Sequence, residues 1–207
     1  SDLENLPKIK SLSPFSGKEA YKNVSWVLQD IIYGSVLGDG YLQKQYAGGD
    51  ARIRLEHGEA QGDYLKWKVS ILKLFFGGEA KHRIRDSRPG FNIDKKLSGF
   101  FTYTSPVNFI ITDIYYDLFK QKEDGRYKVN LRLKWLNRFT ALGLMIWYLD
   151  DAHLHTRDRE ICIGVHSLGE GNILKLRKYL KSAWDLDCRI EMNKIRGTYC
   201  ARLRFST

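Results

Sequence analysis

Two aspartates stand where a carboxylate is electrostatically out of place. One closes Ile31-Ile32-Tyr33-Gly34-Ser35-Val36-Leu37-Gly38-Asp39-Gly40 and the other closes Leu142-Gly143-Leu144-Met145-Ile146-Trp147-Tyr148-Leu149-Asp150-Asp151. Apolar residues recur in both segments at helical spacing, which predicts two buried helices with Asp39 and Asp151 at their C-terminal ends. That end already carries partial negative charge, and an acid there costs about 0.3–1 kcal/mol unless something compensates. A divalent cation compensates both. Two such carboxylates brought together form a hard, oxygen-rich site for Mg²⁺, Mn²⁺ or Ca²⁺. Metals held this way activate water and stabilise the leaving oxygen in phosphodiester hydrolysis. The alternative is structural: Asp39 in a Gly-Asp-Gly turn, and Asp150-Asp151 at a solvated helix end.

The surrounding pattern says what must position these acids. Residues 1–24, with Pro7, Pro14 and scattered charges, read as a leader. A first helix runs from an N-cap at Ser25 to Gly38–Gly40, followed by a hairpin over residues 41–57. Leu65, Val69, Leu72 and Phe76 mark an amphipathic helix over 63–76. Alternating sequence at 80–85 and 99–104 gives two more strands, and a helix follows over 107–119. After a charged connector, residues 122–137, the cycle restarts: helix over 138–151, strands over 153–166, helix over 170–184, strands over 188–206. This is a duplication in architecture, with the two acids 112 positions apart (39 to 151). It predicts a first half over 25–121 and a second over 138–207.

Composition bounds the partners. Lys plus Arg number 34 against 24 Asp plus Glu, a formal charge of +10 with a pI near 9.4. Such a balance points to a polyanion, nucleic acid first and an acidic membrane second. Cys162, Cys188 and Cys200 are odd in number and lack CxxC spacing, which argues against a disulfide scaffold and against zinc. No apolar run reaches the roughly 18 residues of a bilayer span, and no signal-peptide core is present, so the chain is expected to be soluble.

Basic side chains recur at every second position of the predicted strands, so each set projects from one strand face. The candidate nucleic-acid contacts are Gln43, Lys44, Gln45, Arg52, Arg54, Lys81, Arg83, Arg85, Arg88, His155, Arg157, Arg159, Arg189, Lys194, Arg196, Arg202 and Arg204. A sheet with one basic face suits a DNA groove, where Arg and Gln read base edges and Lys holds phosphates.

The segments Gly34-Ser35-Val36-Leu37-Gly38-Asp39-Gly40-Tyr41-Leu42 and Trp147-Tyr148-Leu149-Asp150-Asp151 resemble the paired signatures of LAGLIDADG homing endonucleases in their two-motif, single-chain form. Tyr64-Leu65-Lys66-Trp67-Lys68 and Val165-His166-Ser167 are similar to further stretches of that family. The resemblance implies an α+β fold of two pseudo-symmetric αββαββα units whose antiparallel sheets form a DNA-binding saddle. It also implies a metal-dependent, site-specific cut of double-stranded DNA of the intron-homing type, using Mg²⁺, with Mn²⁺ or Ca²⁺ able to substitute in binding. By this resemblance Asp39 and Asp151 are catalytic metal ligands, with Gly38 and Asp150 beside them. Lys128, at a fixed distance before the second motif helix, is a catalytic base-side residue that polarises water or stabilises developing charge.

Some features depart from the family pattern. Ala152 stands where the second motif commonly has Gly, and after residue 207 the expected last helix of the second unit is missing. A shortened chain, completion by a second polypeptide and an incomplete second site are all open on sequence. So are two non-nuclease readings: an intron-splicing maturase that binds intron RNA, and a non-cleaving sequence-specific DNA-binding protein. His57 and His166 are read as structural. The family also implies an organellar, bacterial or phage setting.

Overall fold

A computed structural model describes residues 25–44, 46, 48–86, 97–121, 127–155, 159–195 and 198–206. The predicted leader lies outside them. The chain is α+β and divides into two compact units, Ser1–Tyr115 and Tyr116–Thr207, the division falling inside a helix.

In the first unit α1 (Trp26–Leu37) leads into β1 (Tyr41–Lys44) and β2 (Ala51–Gly58). A 3-10 turn at Glu59–Gln61 opens α2 (Gly62–Phe76), followed by β3 (Lys81–Asp86), β4 (Leu97–Thr104) and α3 (Phe109–Leu118). The sheet order is β1-β2-β4-β3, antiparallel throughout. Strand β2 shows why the sheet has two unlike faces: Ala51, Ile53, Leu55 and His57 are buried while Arg52, Arg54 and Glu56 between them are half-exposed, the period-2 consequence of the pleat. Helix α2 buries Leu65, Val69, Leu72 and Phe76 against it. Helix α3 is tied on by the Asn108 N–H to Ala51 O (2.9 Å) and the Ala51 N–H to Thr112 Oγ1 (2.7 Å).

The second unit adds a short hairpin, β5 (Phe119–Gln121) with β6 (Tyr127–Val129), and a one-turn helix α4 (Leu133–Leu136). Then α5 (Ala141–Asp151), β7 (Ala152–His155), β8 (Glu160–Gly164), α6 (Glu170–Trp184), β9 (Arg189–Ile195) and β10 (Thr198–Ser206) repeat the first unit's order. The sheet order β7-β8-β10-β9 is that of β1-β2-β4-β3. The registers match too: Leu55 faces Tyr103 across β2 and β4, and Ile163 faces Leu203 across β8 and β10. The duplication is therefore structural, strand for strand.

Several boundaries differ from expectation for physical reasons. The stretch expected to be a plain connector carries β6 and α4, although residues 122–126 lie outside the described set. Helix α5 starts at Ala141 rather than 138, because the Phe139 N–H is committed to Leu136 O (2.9 Å) and Thr140 Oγ1 caps Leu142 N–H (3.2 Å). Helix α3 starts at Phe109 rather than 107, where Asn108 Oδ1 accepts from the Ile110 N–H at 2.8 Å. Ser25 occupies the N-cap of α1 but makes no side-chain cap bond. The strand expected to run to 166 ends at Gly164, and His166–Leu168 form a 3-10 turn. Among the described residues no helix is long and apolar enough to cross a membrane.

Candidate functional site

Asp39 sits two residues beyond the end of α1, in a turn closed by backbone hydrogen bonds. The Gly38 N–H bonds to Gly34 O and Ser35 O at 3.1 Å each, and the Gly40 N–H bonds to Ser35 O at 2.6 Å. Glycine is required at 40 by space: a Cβ there would lie 2.7 Å from Leu55 Cδ2 and 2.8 Å from Ser35 O. The Asp39 side chain is 41% exposed, and the fully buried His57 at the end of β2 places Nδ1 3.5 Å from its Oδ2. The His57 ring meets Tyr64 edge-on (5.2 Å). Lys68, also fully buried, puts Nζ 4.5 Å from the Tyr64 ring and donates to Ser35 Oγ at 3.3 Å. The turn holding Asp39 is thus braced from β2 by His57 and from α2 by Lys68. Sequence alone reads His57 as structural. Its place in β2's buried alternation hides the fact that α1 delivers a carboxylate to the same spot.

In the second unit Asp151 is the last residue of α5 and half-buried, Asp150 beside it is buried, and the Ala152 N–H returns to Tyr148 O. Ile146 and Trp147 fill the core side of that helix. Lys128 is exposed on β6, opposite Lys120. No group of three or more His, Cys, Asp or Glu gathers among the described residues. Neither unit on its own is therefore a closed metal cage. The donors at each helix end are hard carboxylate oxygens, and they suit Mg²⁺, which keeps several waters and needs only one or two carboxylates plus substrate phosphates. Asp39 is exposed enough to offer one.

The predicted basic faces exist, but the two are built differently. On the first sheet Arg52 leans on the Gln43 amide (3.0 and 3.2 Å), and Arg54 reaches Glu56 at 3.4 Å. Lys44 lies over the Tyr115 ring, and Lys81 and Arg83 are exposed on β3. On the second sheet Arg189, Arg202 and Arg204 all contact glutamates: Arg189 to Glu160 at 3.1 Å, Arg202 to Glu191 at 2.8 Å, and Arg204 to both. The hydrogen bond from Arg202 holds the Glu191 carboxyl below its usual range. His155 and Arg159 are exposed around the β7–β8 connection, Arg159 with a left-handed backbone (φ 52°). Arg85 and Lys194 lie on β3 and β9, while Gln45, Arg88, Arg157 and Arg196 fall outside the described residues.

Comparison with known proteins places this architecture. The model of the LAGLIDADG DNA endonuclease family matches residues 29–207. The chain belongs to that family. Among curated relatives of this LAGLIDADG chain, Protein RecA of Mycobacterium gastri is 31% identical over 193 residues, covering 86% of this chain and 41% of that protein. DNA endonuclease I-ChuI of Chlamydomonas applanata is 27% identical over 164 residues, covering 77% of this chain and 73% of that one. The RecA relatives first matched are spanned over only 36–41% of their length. The homing endonuclease I-WcaI bound to its DNA recognition sequence superposes with a TM-score of 0.70 at 17% identity, covering 97% of this chain and 88% of that chain, and so shares the fold.

Proposed function

We propose that this chain is a site-specific double-strand DNA endonuclease of the homing type, dependent on a divalent metal, with Asp39 and Asp151 as the metal ligands. One observation carries the reading. In each structural repeat the helix that leads into the sheet has an aspartate at or just past its C-terminal end, Asp151 as the last residue of α5 and Asp39 two residues beyond α1, where the helix's own carbonyls disfavour a carboxylate. Family membership and the name of the relative I-ChuI support the same activity. Bound Mg²⁺ would supply an activated water and charge stabilisation for the departing oxygen.

The chain's own residues supply the rest. Asp39 and Asp151 each serve as a metal ligand in their own unit, with Gly38 setting the tight turn that presents Asp39 and Asp150 lying beside Asp151. Lys128 is assigned to the developing charge. The strand faces away from the helices take the duplex, with Gln43, Arg52, Arg54, Lys81 and Arg83 from the first unit and Arg189, Arg202 and Arg204 from the second. The test is cleavage of a randomised duplex library in Mg²⁺ by the wild type, Asp39→Asn and Asp151→Asn. Loss of cutting in both variants with DNA binding retained is expected. Undiminished cutting by both overturns the assignment, and specific binding without cutting by the wild type marks a non-cleaving binder.

A further inference from the structure

The arginines of the second sheet lie on the face away from the helices. Ile163, Ala201 and Leu203 are buried on one side of β8 and β10, and the alternating residues Glu160, Arg202 and Arg204 occupy the other. Register places Glu191 of β9 directly across from Arg202, and Arg189 across from Arg204. Glu160, two residues before the Arg204 partner Cys162 on β8, closes the group. The result is one continuous network: Arg202 Nε donates to Glu191 at 2.8 Å, Arg204 Nη1 to Glu191 at 3.3 Å, and Arg189 Nη2 to Glu160 at 3.1 Å, with Arg204 also bonded to Glu160. The Arg204 side chain is only 13% exposed and Glu160 only 12%.

Resting on the DNA-binding reading above, we propose that Glu160 and Glu191 are specificity-determining residues: they clamp Arg202 and Arg204 in fixed orientations and withhold them from phosphates. Two effects follow from charge and geometry. Within this network three arginines stand against two glutamates, one net positive charge, so its generic pull on a polyanion is small. On the first sheet Arg52, Arg54, Lys81 and Arg83 share their face with Glu56. The facing registers put Lys81 across β4 from Glu56, with Arg54 two residues along β2 on the same side of the sheet. A guanidinium fixed by carboxylates also has its donor fork pre-set, which favours bidentate contact with one base edge and gives little to a mobile phosphate contact. The first sheet therefore supplies most of the sequence-independent affinity, and the second supplies selectivity over its half of the site.

The experiment measures the binding of a random-sequence duplex by fluorescence anisotropy across a salt series in EDTA. It compares the wild type, Glu191→Gln, Glu160→Gln and Glu170→Gln, the last removing an exposed acid in the first turn of α6, off the sheet. Release of an arginine to a phosphate steepens the log–log salt slope by about 0.9. Glu191→Gln and Glu160→Gln should each show that steepening with tighter random-sequence binding, and should lose sequence enrichment when a randomised duplex pool is selected and read. Glu170→Gln should leave the slope unchanged. The use of two sheet variants covers a failure of either to fold. Unchanged slopes in both, or a shift equal to that of Glu170→Gln, overturns the proposal. No binding of any duplex by the wild type overturns the DNA reading itself.

Discussion

Replacing His57 by Phe separates its bracing of Asp39 from its place in the core. The His57 side chain is fully buried and packs edge-on against Tyr64, while the Asp39 carboxylate 3.5 Å from its Nδ1 is 41% exposed. Phe keeps a ring of similar size against Tyr64 and removes the nitrogen that faces Asp39. A contact to a carboxylate that exposed is worth about 0.2–1 kcal/mol. The variant should therefore lose less than about 1 kcal/mol of stability, a Tm change below about 4 °C for a chain of this size. Emptying the site with His57→Ala should cost about 3 kcal/mol, because a cavity is left. The effect on the cation is the larger one: loss of a side chain that orients a metal ligand typically weakens binding about 10–100-fold. Isothermal titration of Mn²⁺ into the protein with a non-cleavable duplex, together with thermal unfolding, reads both quantities. Mn²⁺ affinity within twofold of the wild type in a folded His57→Phe protein would refute the argument.

Gly40→Ala forces a Cβ against the Leu55 side chain and the Ser35 carbonyl. It should cost about 1–3 kcal/mol and lower cleavage more than binding, measured by urea unfolding beside cleavage and anisotropy. Lys68→Met removes the fully buried ammonium that bonds Ser35 Oγ and lies over Tyr64, and a loss of about 1–3 kcal/mol is expected in urea. Burial first, and the nearby Asp50 charge second, push the Asp113 carboxyl above its ordinary 3.8. A raised folded value means that the group's contribution to stability is present below the unfolded value and lost as pH rises through the folded one. Asp113→Asn should thus be more stable than the wild type at pH 7, with the gap closing below about pH 4; thermal unfolding across that range checks the sign.

The long elements were legible because burial imposes one period over many residues. Leu65, Val69, Leu72 and Phe76 all face the core of α2, and β2 alternates without a break. The two helix-end aspartates were legible for a related reason: an acid in that position stands out against the helix dipole. The β5–β6 hairpin was not, since three-residue strands are too short to alternate visibly. His57 was hidden because its period-2 position reads as core, and only the packing of α1 against β2 brings Asp39 to it. The second sheet's arginines read as a free cationic row. Their partners Glu160 and Glu191 lie on other strands, 44 and 13 residues from Arg204, and only the β8-β10-β9 pairing joins them. Strand-by-strand reading finds charges one chain segment at a time, whereas a sheet face is assembled from four.

Whether Asp39 and Asp151 hold the reaction's metals is read off a crystal structure of the chain with its duplex and Ca²⁺. The expected result is Ca²⁺ about 2.3–2.6 Å from carboxylate oxygens at each aspartate, with a DNA phosphate in the shell. A bound duplex with calcium absent from both carboxylates, or held by other side chains, would contradict it.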